Sequence, residues 1–380
     1  MERMSWTGRV AAGLGLAMAL AGVAGAQDSV GFARAEHLRR GINLSMWYAQ
    51  DPALYNATGG AEKLATYITP ADFKLVHDLG FDHARLSIDP EPLIANKATG
   101  ELRPEAMARL DETVKQITAT GLVVVLDIHP ETEWKHTSTM TDEGATQFFA
   151  FWKSFAKHYA GTDPAKVYFE VLNEPEGVDL QHWASEEAKA VAVIRSQAPR
   201  HTIIVGGANW NGINGLEAMS ALQDDDIIYT FHDYNPMTFT HQGATWTGDA
   251  VKPLHGVPYP STPENVAPLV AELPDGAAKK ELAWYGQQRW DIGMMEKQIG
   301  VAVDWAKKNH VPLWCGEFGV FIEHSKPEDR DRWIADMRKT LEKDGIGWNM
   351  WDYRGGFALV SKKDGVSVPD EGVVQALGLK

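Results

Sequence analysis

The chain has 380 residues, 44% of them hydrophobic, with 51 acidic against 36 basic side chains and a formal net charge of −15. That length and apolar fraction suffice for one large domain with a substantial core, and the acidic balance argues against nucleic acid as a partner, since that needs clustered Lys and Arg. The single cysteine, Cys315, rules out an intrachain disulfide.

Arg3 and Arg9 flank the start of an apolar stretch over 10–21, and Ala24-Gly25-Ala26 is a small-residue cleavage signal before Gln27. This pattern predicts a signal peptide over 1–26. The stretch is short for a membrane-spanning helix. Export without a possible disulfide fits a bacterial, secreted or periplasmic protein, clear of the membrane after cleavage near Ala26; residues 27–380 are expected to form one domain, and the protein is expected to be a monomer. Asn56-Ala57-Thr58 is a glycosylation sequon in form only, since a bacterial chain without the machinery leaves it unused.

Strand-like and helix-like segments then alternate. Residues 41–44 read as a first strand, β1. Thr69 and Pro70 open a helix that runs to 79 and stops at Gly80. Residues 81–88 read as β2, and 104–120 as a helix ended by Gly121. The all-apolar run 122–128 reads as β3, 142–159 as helix, 166–172 as β4 and 181–198 as helix. Then come β5 at 202–205, a short helix at 215–222 and β6 at 227–231. Residues 233–288, rich in Pro, Gly and Thr, read mainly as a long loop inserted after the sixth strand. Helix resumes at 292–309, followed by β7 at 311–315, helix 327–343, β8 at 346–351 and a last helix at 369–377. Strict alternation predicts a parallel sheet, and strands this apolar are covered on both faces. Eight repeats predict closure into a single (β/α)8 TIM barrel. An open doubly wound sheet is the structural alternative, but no glycine-rich phosphate loop follows the first strand.

Polar residues collect where these strands end, and a barrel converges them on one rim. Arg85 ends β2, His129 follows β3, and Asn173 with Glu174 follows β4. Asn209 and Trp210 follow β5; His232 and Tyr234 follow β6, two apart and so on one face. Glu317 follows β7 and Trp351 ends β8. Two carboxylates across such a rim are the minimum equipment for cleaving a glycosidic bond. Glu170, mid-strand, reads as a buried hydrogen-bonding residue, and Asp127 and Asp352 as structural. His129, Glu131, Glu133 and His136 lack metal-site spacing and read as lining a loop. Cys315, two residues before Glu317, is placed by strand periodicity on the same inward face as a buried thiol. Of the fourteen tryptophans, Trp47, Trp134, Trp210 and Trp246 sit in polar or Gly/Pro-rich stretches, where rings that stack on sugar faces are as plausible as core packing.

The ordered set Arg85, His129, Asn173-Glu174, His232-x-Tyr234, Glu317 and Trp351 resembles glycoside hydrolase family 5, in the clan of retaining (β/α)8 glycosidases. The likeness spans about residues 39–354 and includes Arg40-Gly41-Ile42-Asn43-Leu44. It implies a double displacement with Glu317 as nucleophile and Glu174 as acid/base, and no cofactor or metal. Arg85 and Tyr234 would support Glu317, and Asn173 would grip the 2-hydroxyl. His129 and His232 would bind hydroxyls or orient the carboxylates, and Trp351 would floor the subsite of the cleaved sugar. The implied substrate is a β-linked polysaccharide or oligosaccharide, most simply a β-1,4-glucan. β-Mannanases, xyloglucanases and β-1,3-glucanases share that machinery. A non-catalytic sugar-binding barrel and a metal-dependent barrel hydrolase are the readings from other classes; the former typically lacks one carboxylate, and both are present here.

Overall fold

The computed structural model describes residues 29–50 and 59–380, so the predicted signal segment 1–26 and the Asn56 sequon lie outside the described residues. Eight strands build the frame: β1 Arg40–Tyr48, β2 His83–Ile88, β3 Val123–Ile128, β4 Val167–Glu170, β5 Ile203–Gly206, β6 Ile227–His232, β7 Leu313–Phe318 and β8 Gly347–Met350. They form a closed, all-parallel barrel in sequence order, and β8 pairs with β1 through Arg40–Trp348, Gly41–Asn349 and Ile42–Met350. The helices expected between strands are α1 Pro70–Asp78, α2 Pro104–Ala119, α3 Asp142–Tyr159, α4 Leu180–Gln197, α5 Ile213–Glu217, α6 Ile292–Asn309, α7 Pro327–Lys343 and α8 Glu371–Ala376. Their ends follow local chemistry. The Asp72 carboxylate accepts from the Thr69 N–H at 2.7 Å at the start of α1, and Asp179 caps α4 by accepting from Gln181 and His182.

Period-two alternation sorts the strand side chains into two cores. Outward residues such as Ile42, Leu86, Leu126 and Phe169 pack with the helices into one large cluster. Inward residues Val123, Val125, Tyr168, Ile204, Ile228 and Trp314 form a separate apolar plug inside the barrel. Further along the same strands the inward positions turn polar and stay buried: Arg85, Asp127, Glu170, Thr230 and His232. The plug closes the barrel, and the charged layer above it faces the C-terminal rim.

Three expectations need correction. The segment after β6 is not loop throughout: nearly half of it lies in helices Met237–Thr240, Pro263–Glu272 and Ala277–Gln288. The start of the second is set by a Thr262/Asn265 capping box with Pro263 at its first position, a signal that the surrounding Pro and Gly mask. Glu133 and His136 likewise lie on a helix, Thr132–Met140, with Glu131 at its N-cap, not on a loop. Short helices at Val30–Ala35 and Gly59–Thr66, and hairpins at 94–102 and 360–369, were also without a periodic signal.

The third correction concerns β7. Phe231 and His232 of β6 pair with Cys315 and Glu317, and Trp348 and Met350 of β8 pair with Cys315 and Phe318. One extra residue therefore bulges from β7 relative to both neighbours. Gly316 occupies the bulge, and a Cβ there would come within 2.7 Å of Thr230 Oγ1 and 3.0 Å of His232 Nε2. The bulge breaks the alternation and turns Glu317 inward. Cys315 packs in the outer cluster instead; it does not share the face of Glu317.

Candidate active site

Arg85 organises the charged layer. A guanidinium has five N–H donors in a rigid fork, and all five are used. Nε and one Nη2 hydrogen grip Glu170 at 2.7 and 2.8 Å. Nη1 donates to Asn43 Oδ1 at 2.9 Å and to Glu317 Oε1 at 2.7 Å, and Nη2 also donates to Asn173 Oδ1 at 2.9 Å. Asp127 Oδ2 lies 3.1 Å from Nη2. One cation thus faces three buried carboxylates, and burial pushes Asp127 up to about 7 against the attraction of Arg85. Glu170 is the buried hydrogen-bonding residue expected from its mid-strand position.

The two rim glutamates meet above this layer. One oxygen of Glu174, one of Glu317 and a ring nitrogen of His232 all lie within 4.8 Å of one another. Glu317 accepts from Arg85 at Oε1 and from the Tyr234 hydroxyl at Oε2, 2.8 Å away. Glu174 Oε1 lies 2.9 Å from His232 Nδ1. Burial pushes the Glu174 carboxyl above its ordinary range, opposed first by the Lys135 cation. Two carboxylates and an imidazole are also a donor set for a divalent cation. Here both Glu317 oxygens already accept hydrogen bonds, and the Arg85 cation balances the Glu317 charge.

Both site histidines are neutral, because burial lowers His129 to about 3 and His232 to about 4. Their tautomers follow from their neighbours. His129 Nδ1 donates to Asp127 at 2.8 Å, so its Nε2 accepts from Asn173 Nδ2 at 3.0 Å. His232 Nδ1 faces Glu174, with Glu317 Oε2 at 3.6 Å. Facing two acceptors, it carries the hydrogen. Asn173 is held at both ends of its amide, by Arg85 and by His129.

A cleft of about 790 Å³ opens over the pair, lined by Asn209, Trp210, Trp246, Trp351 and Phe357 among others. Trp210 and Trp246 are 52% and 61% exposed, so their ring faces are free to meet a ligand. Trp351 is nearly buried and stacks on His129 with ring centres 5.6 Å apart. The other two tryptophans do not reach the cleft. Trp47 is 2% exposed, donates its indole N–H to Leu64 O at 3.0 Å and packs against Tyr48 and Phe73; it is a core residue. Trp134 packs against Phe148 and lines a separate, smaller cavity of about 310 Å³ with Asp89, Glu91 and Glu131. Its place on helix Thr132–Met140 turns it toward α3, away from the carboxylate pair.

The structure adds residues that sequence reasoning missed. Asn43 takes one Arg85 bond and donates to the carbonyls of Gly316 and Met350, at 3.1 and 3.2 Å, tying β1 to the strands on its far side. A polar residue at an inward position of an otherwise apolar strand was the available signal. Gln298 from α6 lines the cleft and donates to Asp233 at 3.3 Å. Lys135 and Glu176 pair 3.0 Å apart behind Glu174, and nothing in their sequence context sets them apart from surface charges.

Comparison with known proteins agrees with this geometry. A profile for cellulase (glycosyl hydrolase family 5) matches residues 53–356. Endoglucanase C of Acetivibrio thermocellus is 30% identical over 322 residues, covering 83% of this chain and 91% of that protein. Cellodextrinase A of Ruminococcus flavefaciens is 28% identical over 315 residues, covering 81% and 83%. The structure of endoglucanase Cel5A from Thermotoga maritima has a TM-score of 0.75 at 28% identity, covering 91% of this chain and 99% of that one. That endoglucanase is also known in complexes with cellobiose and with mannotriose.

Proposed function

The chain belongs to glycosyl hydrolase family 5, and from that premise we propose that it is a retaining endo-β-1,4-glucanase that cuts β-glucan chains by double displacement. The observation that carries the stereochemistry is the spacing of the carboxylates, within 4.8 Å oxygen to oxygen. Retaining enzymes hold the pair about 5–5.5 Å apart, whereas inverting enzymes need about 6.5–9.5 Å to admit a water.

Glu317 attacks the anomeric carbon, aimed by Arg85 and Tyr234 at its two oxygens. Glu174 gives its proton to the departing glycosidic oxygen as that bond breaks. Burial favours the protonated form that this step needs. His232 holds Glu174 Oε1, leaving Oε2 without a protein partner among the described residues and available to carry the proton. In the second step the Glu174 carboxylate takes a proton from water, whose oxygen displaces Glu317 from the sugar. Asn173, with one Nδ2 hydrogen on His129, has the second for the sugar 2-hydroxyl.

Chemical rescue tests the assignment. Glu317→Gly should be inactive, and azide should restore turnover with an inverted glycosyl azide as product. The same inverted product from Glu174→Gly instead would reverse the two roles. A panel of carboxymethyl cellulose, mixed-linkage glucan, xyloglucan, mannan and laminarin tests the substrate. The mannotriose complex of the Thermotoga endoglucanase favours mannan as the second reading. Preference for mannan would overturn the glucan assignment and leave the mechanism standing. Export belongs to the same reading and rests on the 1–26 pattern; sequencing the N-terminus of the exported protein checks it, with Gln27 expected first.

A further inference from the structure

Glu174 is gripped from behind by groups that take no part in the two displacements. Lys135, on helix Thr132–Met140, has a side chain only 8% exposed. Its ammonium donates to the Glu174 carbonyl at 3.3 Å and pairs with Glu176 Oε1 at 3.0 Å. Glu176 also accepts from Thr132 at 2.8 Å and, through Oε2, from the Trp210 indole N–H at 3.0 Å. The Trp210 backbone N–H returns to the Pro175 carbonyl at 3.2 Å, and Asn211 Oδ1 accepts the Glu174 N–H at 2.6 Å. These bonds close a ring around the acid/base loop. Both partners in it are strained: Glu174 has φ 47°, and Asn209, Trp210 and Asn211 form a left-handed run at 63°, 57° and 53°. Side chains rarely adopt that conformation, and it persists where surroundings impose it.

We propose that Lys135 and Glu176 are positioning residues for the leaving-group side of the reaction. In this proposal Trp210, whose exposed ring lines the cleft, carries the departing sugar, and the two residues lock it to the backbone of Glu174, so that proton donor and proton acceptor are held by one clamp. The inference rests on the reading of Glu174 as acid/base. Their charges act on Glu174 in opposite senses: Lys135 lowers its proton affinity and Glu176 raises it. Arg85, Asp127, His129, His232, Tyr234 and Glu317 also face Glu174 from the barrel strands and their ends, and substitutions at 135 and 176 leave them in place.

The test compares kcat/KM, which reports the first displacement, on cellotetraose and on 2,4-dinitrophenyl β-cellobioside, whose phenolate leaves without a proton. Lys135→Met and Glu176→Gln should each lose roughly 10–100-fold on cellotetraose and less than about threefold on the aryl glycoside. Glu174 must be protonated to act, so the alkaline limb of the cellotetraose profile should move up in Lys135→Met, which removes a cation, and down in Glu176→Gln, which removes an anion. Equal losses on both substrates, or an unmoved limb, would overturn the proposal. If Lys135→Met does not fold, the near-isosteric Glu176→Gln decides by the same two readouts. Glu174→Ala is the control. No leaving-group dependence there sinks the acid/base reading; dependence there but not in the clamp variants sinks the clamp alone.

Discussion

The ends of β4 and β7 present the same side chain in opposite ways. Glu317 follows a bulge in β7, its side chain is 5% exposed, and both of its oxygens accept hydrogen bonds, from Arg85 and Tyr234. Glu174 stands on a left-handed residue beyond β4, with its side chain 23% exposed and, among the described residues, a single side-chain hydrogen-bond partner, His232. A carboxylate with a donor at each oxygen is fixed in aim and has its charge answered. One held at a single oxygen at the mouth of a cleft is free to pass a proton. The difference in chemistry comes from the backbone: an extra residue in one strand and a strained residue after the other.

The sharpest way to break this contrast is to remove each glutamate in turn. Glu317→Ala should lower kcat on the order of 10⁵-fold, on activated and unactivated substrates alike. Glu174→Ala should cost about 10²–10⁴-fold on cellotetraose and much less on the dinitrophenyl glycoside when kcat/KM is measured. The reverse pattern would exchange the roles.

Of the two glutamates Arg85 hydrogen-bonds Glu317, and its loss should be felt in stability as well as rate. Arg85→Met leaves Glu170 and Asp127 buried without their cation, at a cost of about 3–5 kcal/mol in denaturant unfolding. An unchanged midpoint would mean that the carboxylates find another partner or take up protons freely. The rim should respond differently. Trp210→Ala should raise KM for a cello-oligosaccharide about tenfold with little change in melting temperature. Trp47→Ala should do the opposite, costing about 3–5 kcal/mol of stability with KM unchanged. A KM effect at Trp47 would restore it to the substrate-binding set.

A last expected effect is a slope across pH. Asp127 is held at about 7 in the folded chain against about 3.9 when unfolded. The folded state therefore binds the extra proton between those values, and this group's contribution to stability falls as pH rises from about 4 to about 7, then levels. Asp127→Asn lacks that loss. Its melting temperature relative to the parent should become more favourable from pH 5 to pH 8, and a gap moving the other way would refute the raised value.

Much of the site was legible because a polar residue closing an apolar strand is costly to bury unless it meets partners there, and a barrel supplies those partners at one rim. Arg85, His129, Asn173, Glu174, His232, Tyr234, Glu317 and Trp351 all meet where the barrel rule puts them. The tryptophans were not separable in this way. Trp47 and Trp210 both sit in polar surroundings, yet one indole donates to a carbonyl inside the core and the other to Glu176 at the cleft. Lys135 was invisible for a related reason: in Thr132-Glu133-Trp134-Lys135-His136 it reads as one more solvated charge, and its helix has little apolar periodicity to announce it.

Strand periodicity and caps, both local properties, are written in the sequence itself. They determined eight βα repeats, closure into a barrel and the two strand ends that carry glutamates. Contacts between distant segments decided the rest. The bulge at Gly316 is a feature of how β7 pairs with β6 and β8, and it, not alternation, points Glu317 inward and Cys315 outward. The left-handed turn at Glu174 is held by Asn211 and Lys135, residues 37 and 39 positions away in sequence. Which glutamate is gripped and which is free to exchange a proton is thus a property of packing across the barrel, since no window of sequence contains both partners.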